Sequence, residues 1–341
     1  MAKTAVLSGR TATVIVIVAV AMTAGFVTAS LRSDGAELPA APPVPTGPDV
    51  VTVVAAGDIA CDPDSSSFAG GEGNGVDCSM KATSDLALGL DPDAVLVLGD
   101  LQYDCGGYQA FLESYDPSWG RLKALTHPVP GNHEYEEASG TGSGAGTDCS
   151  TVPDAAGYFR YFGAAAGTPG QGWYSFDVGA WHMIALNSNC PHIGGCGGNT
   201  PQGQWLAADL AANDSRCTLA YWHYPRFSSG SHGNSSSVTR MWEMLDAAGV
   251  DVVLAGHDHD YERFAPLDPA QQLDPDGIRS FVVGTGGRKP RPFPNEEAGS
   301  EVRIGDSFGV LELALGAESY GWEFLPTSGG APLDEGTGAC T

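Results

Sequence analysis

The sequence predicts an α/β sheet domain ending in an antiparallel tail of strands. Short apolar, β-branched runs at 51–56, 94–98 and 252–255 alternate with segments of helical spacing. The last third of the chain carries strand-like runs only. Polar residues gather just after these runs rather than within them.

Taken in order, residues 51–56 are continuously apolar, as a strand buried on both faces requires. Residues 80–90 read as a helix and 94–98 (AVLVL) as a second buried strand. Residues 109–125 are mostly helical with a break near Pro117, and 127–130 form a short extended segment. Residues 181–186 and 218–222 are further strands. Between them Thr200 and Pro201 supply an N-cap and a first-turn proline, and Asn213 closes that helix. Val238, Met241, Trp242, Leu245 and Ala248 share one helical face, which Gly249 ends. After the strand at 252–255, runs at 280–283, 310–315 and 322–325 follow with no helix between them.

The chain has 341 residues, 42% hydrophobic, enough to bury a sizeable core. Lys and Arg number 16 against 41 Asp and Glu, for a net charge of −25. Binding a phosphate backbone or anionic lipid needs clustered cations, so no nucleic-acid partner is expected. Action on an anion would require metal ions that reverse the local sign. Lys3 and Arg10 open the chain, residues 12–29 are apolar, and Val27-Thr28-Ala29 offers small residues before Ser30. Residues 1–29 therefore read as a signal peptide, with an uncleaved N-terminal anchor as the alternative. Both readings make the rest secreted or extracytoplasmic, with membrane attachment only if the leader stays. Residues 30–49 read as a Pro/Ala-rich linker, 50–326 as the domain and 327–341 as a C-terminal tail. Eight cysteines in an exported chain point to disulfides, and Cys190 and Cys196, flanking a Gly-rich turn, are the one pair that spacing suggests. No C-x-x-C pair is present, which disfavours a zinc site.

Five strand ends deliver polar residues: Gly57-Asp58, Gly99-Asp100-Leu101-Gln102-Tyr103, Gly131-Asn132-His133-Glu134, His223, and Gly256-His257-Asp258-His259. Ligands bind at the carboxyl edge of open α/β sheets. A glycine there lets the chain turn sharply. Asp, Asn and His suit hard to borderline metals. Singly, each signal is as well explained by a turn, an N-cap or a core histidine; five in one order are not.

Together these blocks resemble the calcineurin-like metallophosphoesterases, and most closely the small purple acid phosphatases. Many relatives open with Asp-x-His, whereas Ala60 stands at that histidine's place and Tyr103 takes over, as in purple acid phosphatases. The continuation Tyr261-Glu262-Arg263 is similar to that group as well. The resemblance covers residues 50–326, apart from the loops at 65–77 and 138–150. It implies a single-domain, four-layer α/β/β/α sandwich and a two-metal centre. Asp100 would bridge the metals, Asp58, Tyr103 and His259 would complete the first site, and Asn132, His223 and His257 the second. Fe(III) is expected at the Tyr103 site, with Fe(II), Zn or Mn at the other. The implied activity is hydrolysis of small phosphomonoesters by metal-hydroxide attack. His133 and His232 would act on substrate as catalytic groups, with Asn132 also contacting it. Phosphodiesters or nucleotides are the alternative substrates, and a secreted, non-catalytic metal-containing binding module is the alternative class.

Other residues read less specifically. Arg263 is equally a phosphate contact or a structural ion pair. Arg288, Lys289 and Arg291 form a small basic cluster expected near the site. Glu134 is expected to orient neighbouring groups. His182 is expected to be packed or edge-exposed, and His127 and His192 to lie on the surface.

Overall fold

The computed structural model describes residues 41–138, 149–151 and 153–341. The leader, the linker up to residue 40 and most of the loop at 138–150 lie outside the described residues. Fifteen strands are described: β1 Val51–Ala56, β2 Ala94–Leu98, β3 Thr126–Val129, β4 Glu136–Ala138, β5 Cys149–Thr151, β6 Tyr174–Val178, β7 Trp181–Ala185, β8 Cys217–Tyr221, β9 Val252–Ala255, β10 Tyr261–Phe264, β11 Arg279–Val283, β12 Ser300–Ile304, β13 Gly309–Leu315, β14 Ser319–Pro326 and β15 Asp334–Ala339. They form one sheet in the order β15-β14-β13-β1-β2-β3, a second in the order β12-β10-β11-β9-β8-β7-β6, and a small β4-β5 pair. β1, β2 and β3 run parallel, as do β7, β8, β9 and β11. The pairs β1-β13, β13-β14 and β14-β15 are antiparallel, which is the expected antiparallel tail.

The alternation of side chains along each strand builds the layers. Val53, Ala55, Leu96, Leu98, Leu311 and Leu313 of the first sheet face Trp181, Met183, Leu219, Tyr221 and Leu254 of the second. The other face of the first sheet, with Val54, Ala56, Val95 and Val97, packs on α1 (Met80–Gly89), on the short helix α2 (Tyr108–Ala110) and its continuation Phe111–Tyr115, and on α3 (Ala156–Phe162). The outer face of the second sheet, with Ile184, Ala220 and Val253, packs on α4 (Pro201–Ala212) and α5 (Thr239–Asp246). The result is the expected four-layer α/β/β/α sandwich. Each fully buried aliphatic or aromatic side chain contributes about 1.5–3 kcal/mol.

α4 starts as its sequence predicts: the Thr200 hydroxyl accepts from the Gly203 N–H, and Pro201 follows. α5 is preceded by a 3-10 turn at Ser236–Val238 and buries Met241, Trp242 and Leu245. Residues 327–341, expected as a tail, carry β15, an edge strand paired along β14. The described end of the linker lies beside it, where the Thr337 hydroxyl donates to the Pro42 carbonyl. The eight cysteines form four disulfides: Cys61–Cys78, Cys105–Cys149, Cys190–Cys196 and Cys217–Cys340. Among the described residues no helix is long and apolar enough to cross a membrane.

Candidate metal centre

The strand ends converge where expected, but the turns differ from the simplest sequence reading. Asp58, Asp100 and His257 themselves adopt left-handed backbone, with φ of 59°, 50° and 74°. Such conformations are costly for residues with side chains and collect at functional sites. Of the glycines at the strand ends, Gly99 has positive φ (84°), whereas Gly131 and Gly256 serve by leaving space. A Cβ on Gly131 would sit 2.1 Å from Asp100 Oδ1, and one on Gly256 2.7 Å from Asp58 Oδ2.

The seven candidate donors fall into two groups. The Tyr103 hydroxyl lies 2.7 Å from Asp58 Oδ1, 3.0 Å from Asp100 Oδ2 and 3.1 Å from His259 Nε2. His223 Nε2 lies 3.2 Å from Asn132 Oδ1, 3.2 Å from His257 Nδ1 and 3.3 Å from Asp100 Oδ2. One oxygen of Asp100 thus belongs to both groups.

Backbone carbonyls fix the tautomers. His223 Nδ1 donates to the Leu98 carbonyl at 2.8 Å, and His259 Nδ1 to that of Lys289 at 3.2 Å. His259 Nε2 therefore turns its lone pair toward the Tyr103 hydroxyl, while His223 Nε2 faces Asp100 Oδ2, Asn132 Oδ1 and His257 Nδ1. Burial pushes His257 and His259 down to about 3, so both rings stay neutral. Burial raises Asp58 to about 6 against the pull of His223, with Asp100 adding to the rise. At His223, Asp100 and Asp58 outweigh burial and raise it to about 9. A buried set of carboxylates and inward lone pairs, held together only by protons, fits cations in both groups.

Glu134 has the orienting part expected of it. Its buried carboxylate accepts from the N–H groups of Asp100, Leu101, Gln102 and Gly131 at 2.7–3.2 Å, clasping the turns that carry Asp100, Tyr103 and Asn132. His133 donates through Nδ1 to the Asp104 carbonyl, leaving Nε2 3.9 Å from Asp100 Oδ2. His232 is held by Asp258 Oδ1 at 2.9 Å, with its ring centre 4.2 Å from that of His257. Both lie at the rim of the donor cluster.

Arg263 is the correction. Its guanidinium pairs with Asp334 at 2.7 Å and with Glu301, between strands, so the ion-pair reading holds and the phosphate contact falls. The basic cluster splits by partner. Arg288 pairs with Asp104 and stacks 4.4 Å over the Tyr103 ring, and Lys289 pairs with Asp77. Arg291 reaches His232 Nε2 at 3.4 Å. Sequence reasoning passed over Asp258, which orients His232, and Tyr224, whose ring centre lies 4.5 Å from that of His257. The position of Asp258 between two candidate ligands was the available signal. His127 and His192 are not bare surface residues: they stack on Phe176 at 3.7 Å and Tyr135 at 4.3 Å. His182 bonds Asp177 and Asp209, away from the cluster.

The calcineurin-like phosphoesterase family profile matches residues 51–261, which spans all seven candidate donors. Purple acid phosphatase 23 of Arabidopsis thaliana is 31% identical over 246 residues, covering 62% of this chain and 50% of that protein. Purple acid phosphatase 15 of the same plant is 29% identical over 266 residues, covering 69% of this chain and 47% of that protein. The chain thus spans about half the length of these curated relatives. The structure of purple acid phosphatase PPD1 from yellow lupin seeds superposes with a TM-score of 0.67 at 20% identity, over 88% of this chain and 55% of that one, a likeness of fold. Profile, strand order and the placing of the five polar blocks at one sheet edge agree, and the chain belongs to the calcineurin-like phosphoesterase family.

Proposed function

We propose that this protein is an exported phosphomonoesterase of the purple acid phosphatase type, working at a two-metal centre. The observation that carries the proposal is the division of seven donors, five of them buried, into two groups sharing Asp100 Oδ2. Asp58, Tyr103 and His259 would hold one metal, Fe(III), and Asn132, His223 and His257 the other, Fe(II), Zn or Mn, with Asp100 common to both. When bound, the two ions supply an activated water and neutralise the phosphoryl oxygens. The chain's own residues do the rest. The ligand turns are clasped by Glu134, so the donors are preorganised. His133 Nε2, with its tautomer set by the Asp104 carbonyl, is placed to hold a proton for the departing oxygen. His232, fixed by Asp258, and Arg291 beside it offer donors to the phosphoryl group. Four disulfides support an extracellular location.

Metal analysis joined to a phenyl phosphate assay tests this reading. Two metals per chain with hydrolysis is the expected result. Metal without hydrolysis would return the protein to the class of binding modules, and faster cleavage of a phosphodiester would move the substrate.

A further inference from the structure

A cavity of about 210 Å³ opens directly beside Asn132. Glu136, Tyr224 and His192 line it, and no Lys or Arg does. His192 is stacked on Tyr135, and the Cys190–Cys196 disulfide closes the turn that carries it, so this wall is rigid. Tyr224 lies against His257 on the metal side. Glu136 follows the turn His133–Tyr135. Among the described residues its carboxylate has no hydrogen-bond or ion-pair partner. Glu136 shares the cavity wall with Asn132 and Tyr224, so its charge bears on the space beside the candidate metal centre.

A phosphomonoester bound through its phosphoryl group at Asn132 would direct its alcohol portion into this cavity. There a carboxylate unpaired among the described residues repels anionic leaving groups and attracts cationic ones, while aromatic faces add cation–π attraction of roughly 0.5–2 kcal/mol. We infer that the cavity is the leaving-group site and that Glu136 and Tyr224 select phosphomonoesters of small ammonium-bearing alcohols. This rests on the function proposed above. The reaction remains hydrolysis: water adds to phosphorus, the bond from phosphorus to the alcohol oxygen breaks, and the products are the amino alcohol and inorganic phosphate.

The test compares kcat/KM of the metal-loaded full chain for choline phosphate and for its neutral isostere, which carries tert-butyl in place of trimethylammonium. Phenyl phosphate serves as the activity standard. The ammonium ester should be favoured about tenfold, the ratio should fall to about one in Glu136→Gln, and Glu136→Asp should keep part of it. Free choline should likewise compete better than its neutral isostere in the wild type. Hydrolysis of phenyl phosphate with a wild-type ratio near one, or an unchanged ratio in Glu136→Gln, overturns the selectivity and leaves the phosphatase standing. No hydrolysis of phenyl phosphate by the two-metal protein overturns the phosphatase, and this inference with it.

Discussion

Without a metal, Tyr103 holds its proton: burial, Asp100 and Asp58 all push its hydroxyl well above the usual value. A trivalent cation reverses that balance and favours the phenolate, whose charge transfer to ferric iron absorbs visible light. The oxidised, iron-loaded protein should be coloured, and Tyr103→Phe should bleach it while far-UV circular dichroism stays the same. A colourless wild type loaded with iron would remove Tyr103 from the ligand set. Asp100→Ala should lose both metals, since one of its oxygens touches both donor groups; equal loss in His182→Gln would show the centre to be misplaced. His182 itself allows a pH test. Burial lowers its pKa, but hydrogen bonds to Asp209 and Asp177 outweigh that and raise it. A raised folded pKa stabilises fully below the unfolded value of about 6.5 and ceases to do so as pH climbs through the folded one. The stability difference between wild type and His182→Gln in urea should therefore be larger at about pH 6 than at about pH 9. A difference that grows with pH would contradict the assignment.

The strand-to-loop turns are the elements on which the centre depends, and Glu134 joins two of them, those after β2 and β3. Removing its carboxylate leaves four buried N–H groups without an acceptor, each worth about 1–3 kcal/mol. Glu134→Ala should lower the midpoint of thermal unfolding and weaken metal retention together. Unchanged metal content in a folded Glu134→Ala protein would show that the turns stand without it. The elements also explain what the sequence disclosed. β1, β2, β8 and β9 were legible because strands covered on both faces must be apolar throughout, and their ligands follow them in fixed order. β15 (DEGTGA) was not, because an edge strand takes its shape from its neighbour rather than from its own residues. α3 was hidden by a run of aromatics with little helical preference, which is held instead by ring packing against Phe111 and Tyr115. Arg263 was undecidable from sequence, since its partner Asp334 lies 71 residues away. Asp258 and Tyr224 announce their parts only once the strand ends are side by side.

At the scale of the molecule, the −25 charge means that any phosphate ester approaches against the field of the whole protein. Raising ionic strength should lower KM for an anionic ester, an effect absent for a neutral competitor; a KM that rises with salt would show local cations prevailing. Titration of the unreduced, denatured chain should find no free thiol, because every cysteine is paired. Cys217–Cys340 spans 123 residues and joins β8 of one sheet to the end of β15 in the other. Opening it by Cys340→Ala should cost about 2–5 kcal/mol in chemical denaturation. That bond also divides the centre in time. His223, His257 and His259 lie within the covalent loop it closes, and Asp58, Asp100, Tyr103 and Asn132 lie before it. During synthesis the amino-terminal donors emerge first, while the histidines they must meet belong to a segment whose closure waits for residue 340. A nascent chain arrested between residues 132 and 223 would carry Asp58, Asp100, Tyr103 and Asn132 with none of the three histidines, and would offer half a centre to whatever ion it met.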